Sequence, residues 1–358
     1  MNTFITFRII FTAALIALAI GPLAFWLADK FGLVDVPGSA PHKLHKQRMP
    51  MAGGIVLFIT IIVVALLEKV ISLPVAGPIL WSSALIFLFG LWDDVKELPP
   101  LWKLTGQLLA AGLLIYFGVH VRLFHQDWLN YSLTVLWLVG VTNAYNFVDS
   151  MDGLAIGLGG LAAAFFMLVT IDSQQAGLSL FSTIIIGACL GSFYYNASPA
   201  HFFLGDSGSQ FLGFILAGLG IAYNPLGFSR LASWYVPILL VGVPIFDASL
   251  VIFSRMRHGQ PIYVANRDHT FHRLVSMGMS SNRAVLTMHV AALLLGCLAF
   301  IALDMPPLIA NLIFASVLLL GMLTLLFLDL GLGLPEKFRR TKAAGWQMES
   351  EEPPHSSE

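Results

Sequence analysis

The chain has 358 residues, of which 57% are hydrophobic and only 11% are charged. An ordinary soluble domain carries about 25% charged residues, so this composition excludes a water-soluble monomer. The formal net charge of −1 leaves no basic excess that would favour nucleic acid. The two cysteines both lie in apolar segments and do not form a disulfide framework. Partners of this chain are therefore expected in the membrane.

Apolar segments of about 17 to 23 residues recur along the chain, and each is long enough to cross the hydrocarbon core as a helix. They predict an all-α, polytopic integral membrane protein with about eleven transmembrane helices. The first segment has no preceding basic region and no cleavage site, so it is interpreted as a retained span. The predicted spans lie near residues 4–27, 53–72, 75–91, 104–121, 132–148, 153–171, 178–195, 209–223, 233–254, 284–303 and 308–330.

The lysines and arginines predict the orientation of these spans. With eleven crossings, fifteen of the 19 basic residues fall on one side, which the positive-inside rule assigns to the cytoplasm. The N-terminus is then outside and the C-terminus inside, in a multi-pass protein of the inner, or plasma, membrane. We expect a transmembrane domain over residues 1–330 and a polar, disordered cytoplasmic tail over residues 331–358.

Five polar clusters fall at span ends on the predicted cytoplasmic side. An acid at mid-membrane costs roughly 2.5 to 3.5 kcal/mol, and less near a span end, so five such clusters suggest a shared site at that face. The alternative is that each is only an interfacial anchor or a helix cap. The clusters are His42–His45, Asp93-Asp94, Asn143–Asp152, Gly205-Asp206-Ser207 and Arg267–Arg273.

Three of these clusters have spacings that suggest how their side chains are used. Asp93 and Asp94 are adjacent, so one is expected to face the site and the other to orient a neighbour. Residues 143–152 carry polar side chains at intervals of three, which is typical of one helical face if the helix persists. Asp206 lies between glycines where span eight begins, beside backbone N–H groups that could receive phosphate oxygens or simply be capped.

The residue types predict a metal and a phosphate-bearing ligand. Carboxylates and amides are hard oxygen donors, which suit Mg²⁺ or Mn²⁺ better than zinc. His269 and His272 are three residues apart, but no third soft ligand accompanies them, and the flanking Arg267 and Arg273 fit anion binding better. The basic loop that includes Lys43 either binds anions too or only anchors the chain at the membrane surface.

Taken together and in this order, the motifs resemble those of the polyprenyl-phosphate N-acetylhexosamine-1-phosphate transferases, the family of the bacterial enzymes WecA, TagO and MraY. The resemblance runs from about residue 30 to about residue 280. The matching strings are Asp35-Val-Pro37, Lys43-Leu-His45, Gly53-Gly54, Asp93-Asp94 with Lys103 and Gln107, Asn143-x-x-Asn146-Phe-x-Asp149-x-x-Asp152, Phe203-Leu-Gly-Asp206-Ser-Gly-Ser209, and Arg267-Asp-His269-Thr-Phe-His272-Arg273.

This resemblance implies transfer of a sugar-1-phosphate from a UDP-N-acetylhexosamine to a polyprenyl phosphate such as undecaprenyl phosphate. UMP is released, Mg²⁺ is required with Mn²⁺ as a substitute, and the reaction is the first membrane step of cell-envelope glycan synthesis. The resemblance leaves open a single in-line displacement or a phosphorylated Asp, and the oligomeric state, a homodimer being one option. Its implied site residues are Asp93, Asp94 and Asp206 for catalysis, Asp206 and Asn146 for the metal, and Lys43, His45, Lys103, Asn143, Asn146, Asp149, Asp152, Arg267, His269, His272 and Arg273 for the substrates.

Departures from the family pattern suggest a branch. The family commonly has Arg, Gly and His where this chain has Met51, Ser150 and Phe271. The incomplete histidine string resembles the WecA and TagO branch, so an N-acetylhexosamine such as GlcNAc is expected rather than a muramyl-pentapeptide donor. Two rival classes are a secondary transporter, which should show mid-membrane polar residues and two similar halves, and a CDP-alcohol phosphotransferase, whose acidic signature is missing.

Overall fold

The computed structural model describes residues 2–35, 48–225, 233–260 and 268–331. Four of the predictions concern residues outside these ranges. They are the roles of Lys43 and His45 in the basic loop, the role of Arg267, and the disordered tail after residue 331.

The described residues form thirteen α-helices, one 3₁₀ helix and one short antiparallel hairpin. The hairpin joins β1, Val34–Asp35, to β2, Met49–Pro50, and the 3₁₀ helix is Val70–Ser72. The α-helices are α1 Thr3–Lys30, α2 Gly53–Leu67, α3 Ala76–Lys96, α4 Pro100–Tyr116, α5 Asp127–Val148, α6 Leu154–Asp172, α7 Ala176–Asn196, α8 Gly205–Ala222, α9 Val236–Leu240, α10 Gly242–Arg257, α11 Thr270–Ser276, α12 Ser281–Leu303 and α13 Pro307–Leu330.

The all-helical membrane architecture predicted from the apolar segments is confirmed. Within the described ranges, α1, α3, α6, α7, α12 and α13 are long and apolar enough to cross a membrane, and α2 is a shorter apolar helix. Large apolar side chains such as Leu319 and Leu320 on α13 are exposed. Such exposure is costly in water but natural for a surface that faces lipid.

The ninth predicted span is wrong as a single helix. Residues 233–254 form two helices, because α9 ends at Leu240 and α10 begins at Gly242. Pro237 and Pro244 lie on either side of the break. Proline lacks the backbone N–H that an unbroken helix needs, and its ring clashes with the preceding turn. Helix α10, which follows the break, contacts α11 through Asp247 and Ser254.

Helix α8 is the centre of the bundle. It packs against α3 on one side and α5 on the other, and its residues from Ser207 to Leu219 are all buried. Its apolar contacts include Phe211, which meets Phe58 and Phe87 where those two rings stack 4.0 Å apart. A helix that is apolar all round must be buried, and α8 is polar only at its N-terminus. That terminus therefore lies at one end of a rigid core.

Close glycine packing fixes the N-terminus of α8. The backbone N–H groups of Gly53 and Gly54 donate to the carbonyls of Phe203 (3.0 Å) and Leu204 (2.9 Å). A Cβ atom on Gly54 would lie 2.3 Å from the Ser207 hydroxyl and 2.5 Å from the Gly208 nitrogen, so no side chain fits there. The absence of side chains at Gly53 and Gly54 thus lets the start of α2 approach the segment that leads into α8 closely.

Candidate functional site

Asp206 in the first turn of α8 is the centre of a polar cluster. Its Oδ2 accepts a hydrogen bond from Nζ of Lys103 on α4 at 2.7 Å, and its Oδ1 accepts one from Nδ2 of Asn146 on α5 at 2.8 Å. Lys103 also lies 2.5 Å from Oδ2 of Asp93 at the end of α3. Four helices, the consecutive α3, α4 and α5 and the more distant α8, therefore bring their ends to one place. Three of the five clusters predicted to share a site, those of Asp93-Asp94, Asn143–Asp152 and Asp206, therefore meet in the structure.

Lys103 is the shared counterion of two carboxylates. The Asp93 side chain is 3% exposed, whereas those of Lys103 and Asp206 are 34% and 29% exposed, so the cluster opens towards its Asp206 side. Two carboxylates that share one site repel each other unless a cation lies between them. Asp93 is also held in place by the backbone N–H of Leu98, which donates to its Oδ1 at 2.7 Å.

Asp94, the neighbour of Asp93, caps α8. Its Oδ1 accepts the backbone N–H of Asp206 at 2.7 Å and its Oδ2 accepts that of Ser207 at 3.1 Å. Of the two adjacent carboxylates, Asp93 thus forms the ion pair with Lys103, and Asp94 caps the neighbouring helix α8. Of the two alternatives for these N–H groups, a phosphate site or a helix cap, the contacts of Asp94 favour the cap. We assign Asp94 to positioning Asp206.

Asn143 lies one turn deeper in α5 than Asn146 and belongs to an amide network. Its Nδ2 donates to Oε1 of Gln107 and to the carbonyl of Val139, both at 2.8 Å. Nε2 of Gln107 donates in turn to Oδ1 of Asn143 at 3.2 Å and to Oε1 of Gln210 at 3.1 Å. Both polar atoms of the Asn143 amide therefore contact protein groups and help to hold α4, α5 and α8 together, while its role in substrate binding stays a prediction.

The helical face expected over residues 143–152 ends early. Helix α5 stops at Val148, so Asp149 and Asp152 lie in the turn before α6. Burial raises the pKa of the Asp149 carboxyl well above its ordinary value, and the charges of Asp206, Asp94 and Asp152 raise it further. Asp152 accepts the backbone N–H of Ala200 at 3.1 Å and so holds the loop before α8. Asp149 adjoins the Asp206 cluster, whereas Asp152 supports it from the loop.

The two predicted histidines lie beside the end of α5. His269 immediately precedes α11, and its ring lies 6.1 Å from the ring of Phe147, the residue after Asn146. The ring of His272 lies 6.4 Å from that of His269. Phe271 between them is 3% exposed and packs into the core. The position where the family commonly has another histidine therefore points into the protein here.

Arg273 does not face the site. Its guanidinium donates to the carbonyl of Asp268 at 2.9 Å, the carbonyl of Leu328 at 2.8 Å and the Ser254 hydroxyl at 2.7 Å. It also lies 3.5 Å from Oδ1 of Asp329 at the end of α13. These contacts hold α11 against α10 and α13, and the role of Arg273 in binding substrate stays a prediction.

Sequence reasoning missed two acids that the structure makes prominent. Asp247 on α10 accepts hydrogen bonds from His269 and Thr270, and Asp329 on α13 pairs with Arg257 and Arg273. Neither lies in a motif. A carboxylate inside or at the edge of an apolar segment is costly unless it is paired, and that cost is the signal that could have found both.

The residues present fit a hard divalent cation better than zinc. Asp206 and Asn146 supply neighbouring carboxylate and amide oxygens, and the ammonium of Lys103 shows that Asp93 and Asp206 are close enough to share one cation. Among the described residues, no three His, Cys, Asp or Glu side chains form a metal-binding group. Mg²⁺ usually retains several waters and binds substrate phosphates, so few protein ligands are needed to hold it.

The fold and the cluster define a helical membrane protein with an acid-rich, lysine-containing site where several helices end. The profile of glycosyl transferase family 4 matches residues 77–224. The chain is 33% identical to the probable undecaprenyl-phosphate N-acetylglucosaminyl 1-phosphate transferase of Bacillus subtilis, over 77% of this chain and 79% of the relative. It belongs to the polyprenyl-phosphate N-acetylhexosamine-1-phosphate transferase family.

Two other relatives show the breadth of the family. The decaprenyl-phosphate N-acetylglucosaminephosphotransferase of Mycobacterium tuberculosis is 30% identical, over 78% of this chain and 78% of the relative. The phospho-N-acetylmuramoyl-pentapeptide-transferase of Levilactobacillus brevis is 27% identical, over 68% of this chain and 80% of the relative. The similarity therefore extends across both branches of the family.

Proposed function

We propose that this protein transfers N-acetylglucosamine-1-phosphate from UDP-GlcNAc to a polyprenyl phosphate, with release of UMP, as the first membrane step of cell-envelope glycan synthesis. The observation that carries the proposal is the cluster of Lys103, Asp93, Asp206 and Asn146 at the ends of four helices. Both substrates carry phosphates, and phosphoryl transfer depends mainly on positioning and charge neutralisation. A cation held between carboxylates, beside lipid, suits that task.

The side chains take the following roles in this proposal. Lys103 neutralises a phosphate oxygen as the substrates enter, and Asp93 holds the Lys103 ammonium towards Asp206. A polyprenyl phosphate is already ionised near neutral pH, so the acceptor needs orientation more than deprotonation. Asp206 and Asn146 are the residues that would hold Mg²⁺. The ion, when bound, supplies Lewis-acid stabilisation of charge on the diphosphate.

Support for GlcNAc over the muramyl-pentapeptide comes from two observations. The relatives named for N-acetylglucosamine transfer are 33% and 30% identical, against 27% for the pentapeptide transferase. Phe271 also replaces a histidine of the family string, and its ring is buried rather than turned towards a donor. A site that lacks this polar group has fewer contacts for a large polar donor.

The proposal includes an eleven-span topology with the N-terminus outside and the site at the cytoplasmic face of the plasma membrane. Fifteen of 19 basic residues then lie inside. The contacts of Lys103 with Asp93 and Asp206 support this arrangement, because the end of α3 and the starts of α4 and α8 must share one face. A transporter site would lie near the midplane, where helices break, rather than at their ends.

The decisive experiment measures UMP release by the purified protein with Mg²⁺, a short polyprenyl phosphate and a panel of UDP-sugars. We expect UMP with UDP-GlcNAc and a lipid product that carries both the sugar and a diphosphate. The Asp206→Asn variant serves as the background control. UMP release that does not depend on the lipid, or the absence of release with every UDP-sugar, contradicts the proposal.

A further inference from the structure

Asp247 is a buried carboxylate that contacts His269. It lies on α10, in the segment that follows the helix break, and its side chain is 1% exposed. Oδ2 of Asp247 lies 2.8 Å from Nδ1 of His269, and Oδ1 accepts the backbone N–H of Thr270 at 2.6 Å. The two carboxylate oxygens of Asp247 therefore contact two consecutive residues, His269 and Thr270, at the start of α11.

The contact determines which nitrogen of His269 carries a proton. A carboxylate only accepts hydrogen bonds, so Nδ1 of the neighbouring ring must be the donor. The proton on Nδ1 makes Nε2 the ring atom that remains for a ligand. The imidazole side chain is 14% exposed, and its ring lies 6.1 Å from that of Phe147, the residue that follows Asn146 at the end of α5.

We propose that Asp247 is a positioning residue that fixes the Nδ1–H tautomer and the ring orientation of His269, so that Nε2 is presented to the sugar nucleotide. The proposal rests on the function proposed above, to which it adds the residue that prepares the donor side of the site. A histidine that acts through one nitrogen commonly has the other held by a carboxylate, and loss of that partner costs about 10- to 100-fold at metal-bound histidines.

The bond to Thr270 offers a purely structural explanation, in which Asp247 only holds the N-terminus of α11. The two explanations differ for Asp247→Asn. The amide oxygen still accepts the Thr270 N–H, while the amide nitrogen now faces Nδ1 of His269 and donates to it. The ring must then carry its proton on Nε2. A purely structural role predicts that the variant stays active despite the changed tautomer, whereas the positioning role predicts that it loses activity.

The first test reads the tautomer directly. Protein labelled with ¹⁵N-histidine is studied by NMR at about pH 8.5, about two units above the ordinary histidine pKa. His269→Gln identifies the His269 signal among those of the ten histidines. We expect the Nδ1–H tautomer in the wild type and the Nε2–H tautomer in Asp247→Asn. An Nε2–H tautomer in the wild type overturns the proposal even if the variant fails to fold.

The second test measures whether Asp247 acts through His269. We expect Asp247→Asn to lower kcat/KM for UDP-GlcNAc by at least about tenfold and to leave KM for the polyprenyl phosphate within about twofold. The loss should disappear in a His269→Gln background and persist in the matched His272→Gln background. An equal loss in both backgrounds overturns the proposal. Because the NMR readout needs no turnover, a wild type that releases no UMP would contradict the proposed function separately.

Discussion

The backbone N–H of Asp206 donates to the Asp94 carboxylate at 2.7 Å, so the residue at the centre of the site is held through its main chain by a neighbour of Asp93. This contact places Asp206 relative to α3 independently of any ligand. The side chain of Asp206 remains directed towards Lys103 and Asn146. The adjacent Asp93 and Asp94 thus supply an ion-pair partner for Lys103 and a cap for α8.

Asp94→Ala is expected to reduce activity without removing any group that touches substrate. Loss of a side-chain cap costs about 1 kcal/mol of stability, and here it also frees the first turn of α8. We expect kcat for UMP release to fall by at least about tenfold while the protein still folds, as measured by kinetics and thermal unfolding. Asp172→Asn, an exposed acid outside the cluster, is the control. A fully active Asp94→Ala would show that the cap does not position Asp206.

Asp206→Asn tests the centre of the cluster. The amide keeps the shape of the side chain but removes the charge that faces Lys103 and would hold Mg²⁺. We expect kcat to fall at least about 10²-fold, which is roughly 2.7 kcal/mol of transition-state stabilisation, and excess Mn²⁺ to restore part of it. Asp29→Asn and Asp172→Asn should remain near wild type. Retention of most activity by Asp206→Asn would mean that the metal is held elsewhere.

Lys103→Met separates the role of the Lys103 ammonium from that of the proposed metal ligands. The substitution preserves the apolar stem and removes the cation between Asp93 and Asp206. We expect kcat to fall at least about tenfold because a phosphate would lose its positive partner. The Mg²⁺ concentration for half-maximal rate should not rise, since two carboxylates are left without their counterion, whereas Asp206→Asn should raise it. A higher Mg²⁺ requirement in Lys103→Met would contradict this division of roles.

Gly54→Ala is expected to displace α8. The added Cβ would lie 2.3 Å from the Ser207 hydroxyl and 2.5 Å from the Gly208 nitrogen, and the backbone cannot yield without moving the turn that carries Asp206. Overpacking of this kind typically costs about 1 to 3 kcal/mol. Thermal unfolding and UMP release should both report the loss. Gly112→Ala, where a Cβ meets no atom within 4 Å, is the matched control and should keep both properties.

The sequence predicts the helical architecture well because span length and polarity are local properties. It also predicts which helix ends meet, since Asp93, Lys103, Asn146 and Asp206 all end or begin apolar segments. It does not predict the direction of each side chain. Whether Asp94 contacts a ligand or a backbone N–H depends on tertiary packing of α3 against α8, which no local pattern contains.

The errors have identifiable physical causes. The sequence predicts one helix over residues 233–254 because most of these residues are apolar, although Pro237 and Pro244 favour a break. Arg273 is predicted to bind an anion because it flanks the histidine pair, and its contacts with Ser254 and Leu328, which lie on distant helices, have no local signal in the sequence. The role of Asp247 was missed because a single acid in an apolar segment has no spacing to interpret.

Topology can be tested with single cysteines placed by the structure. Cys189 is buried, but Cys297 on α12 is exposed, so both are first replaced by alanine. Probes at Lys96, Asn282 and Gln126 are then exposed to a membrane-impermeant maleimide, because these three side chains are exposed at helix ends. We expect Lys96→Cys and Asn282→Cys to react only from the cytoplasm and Gln126→Cys only from outside.

Each labelling pattern has a distinct consequence. Lys96 lies three residues after Asp93, whose partner Lys103 contacts Asp206, so the side that labels Lys96→Cys is the side of the whole cluster. Labelling of Lys96→Cys from outside would move the site away from the compartment that holds UDP-sugars and would contradict the proposed reaction. Labelling of Lys96→Cys and Gln126→Cys from the same side would mean that α4 does not cross the membrane. The charge distribution would then no longer support an eleven-span protein, since every later loop would change sides.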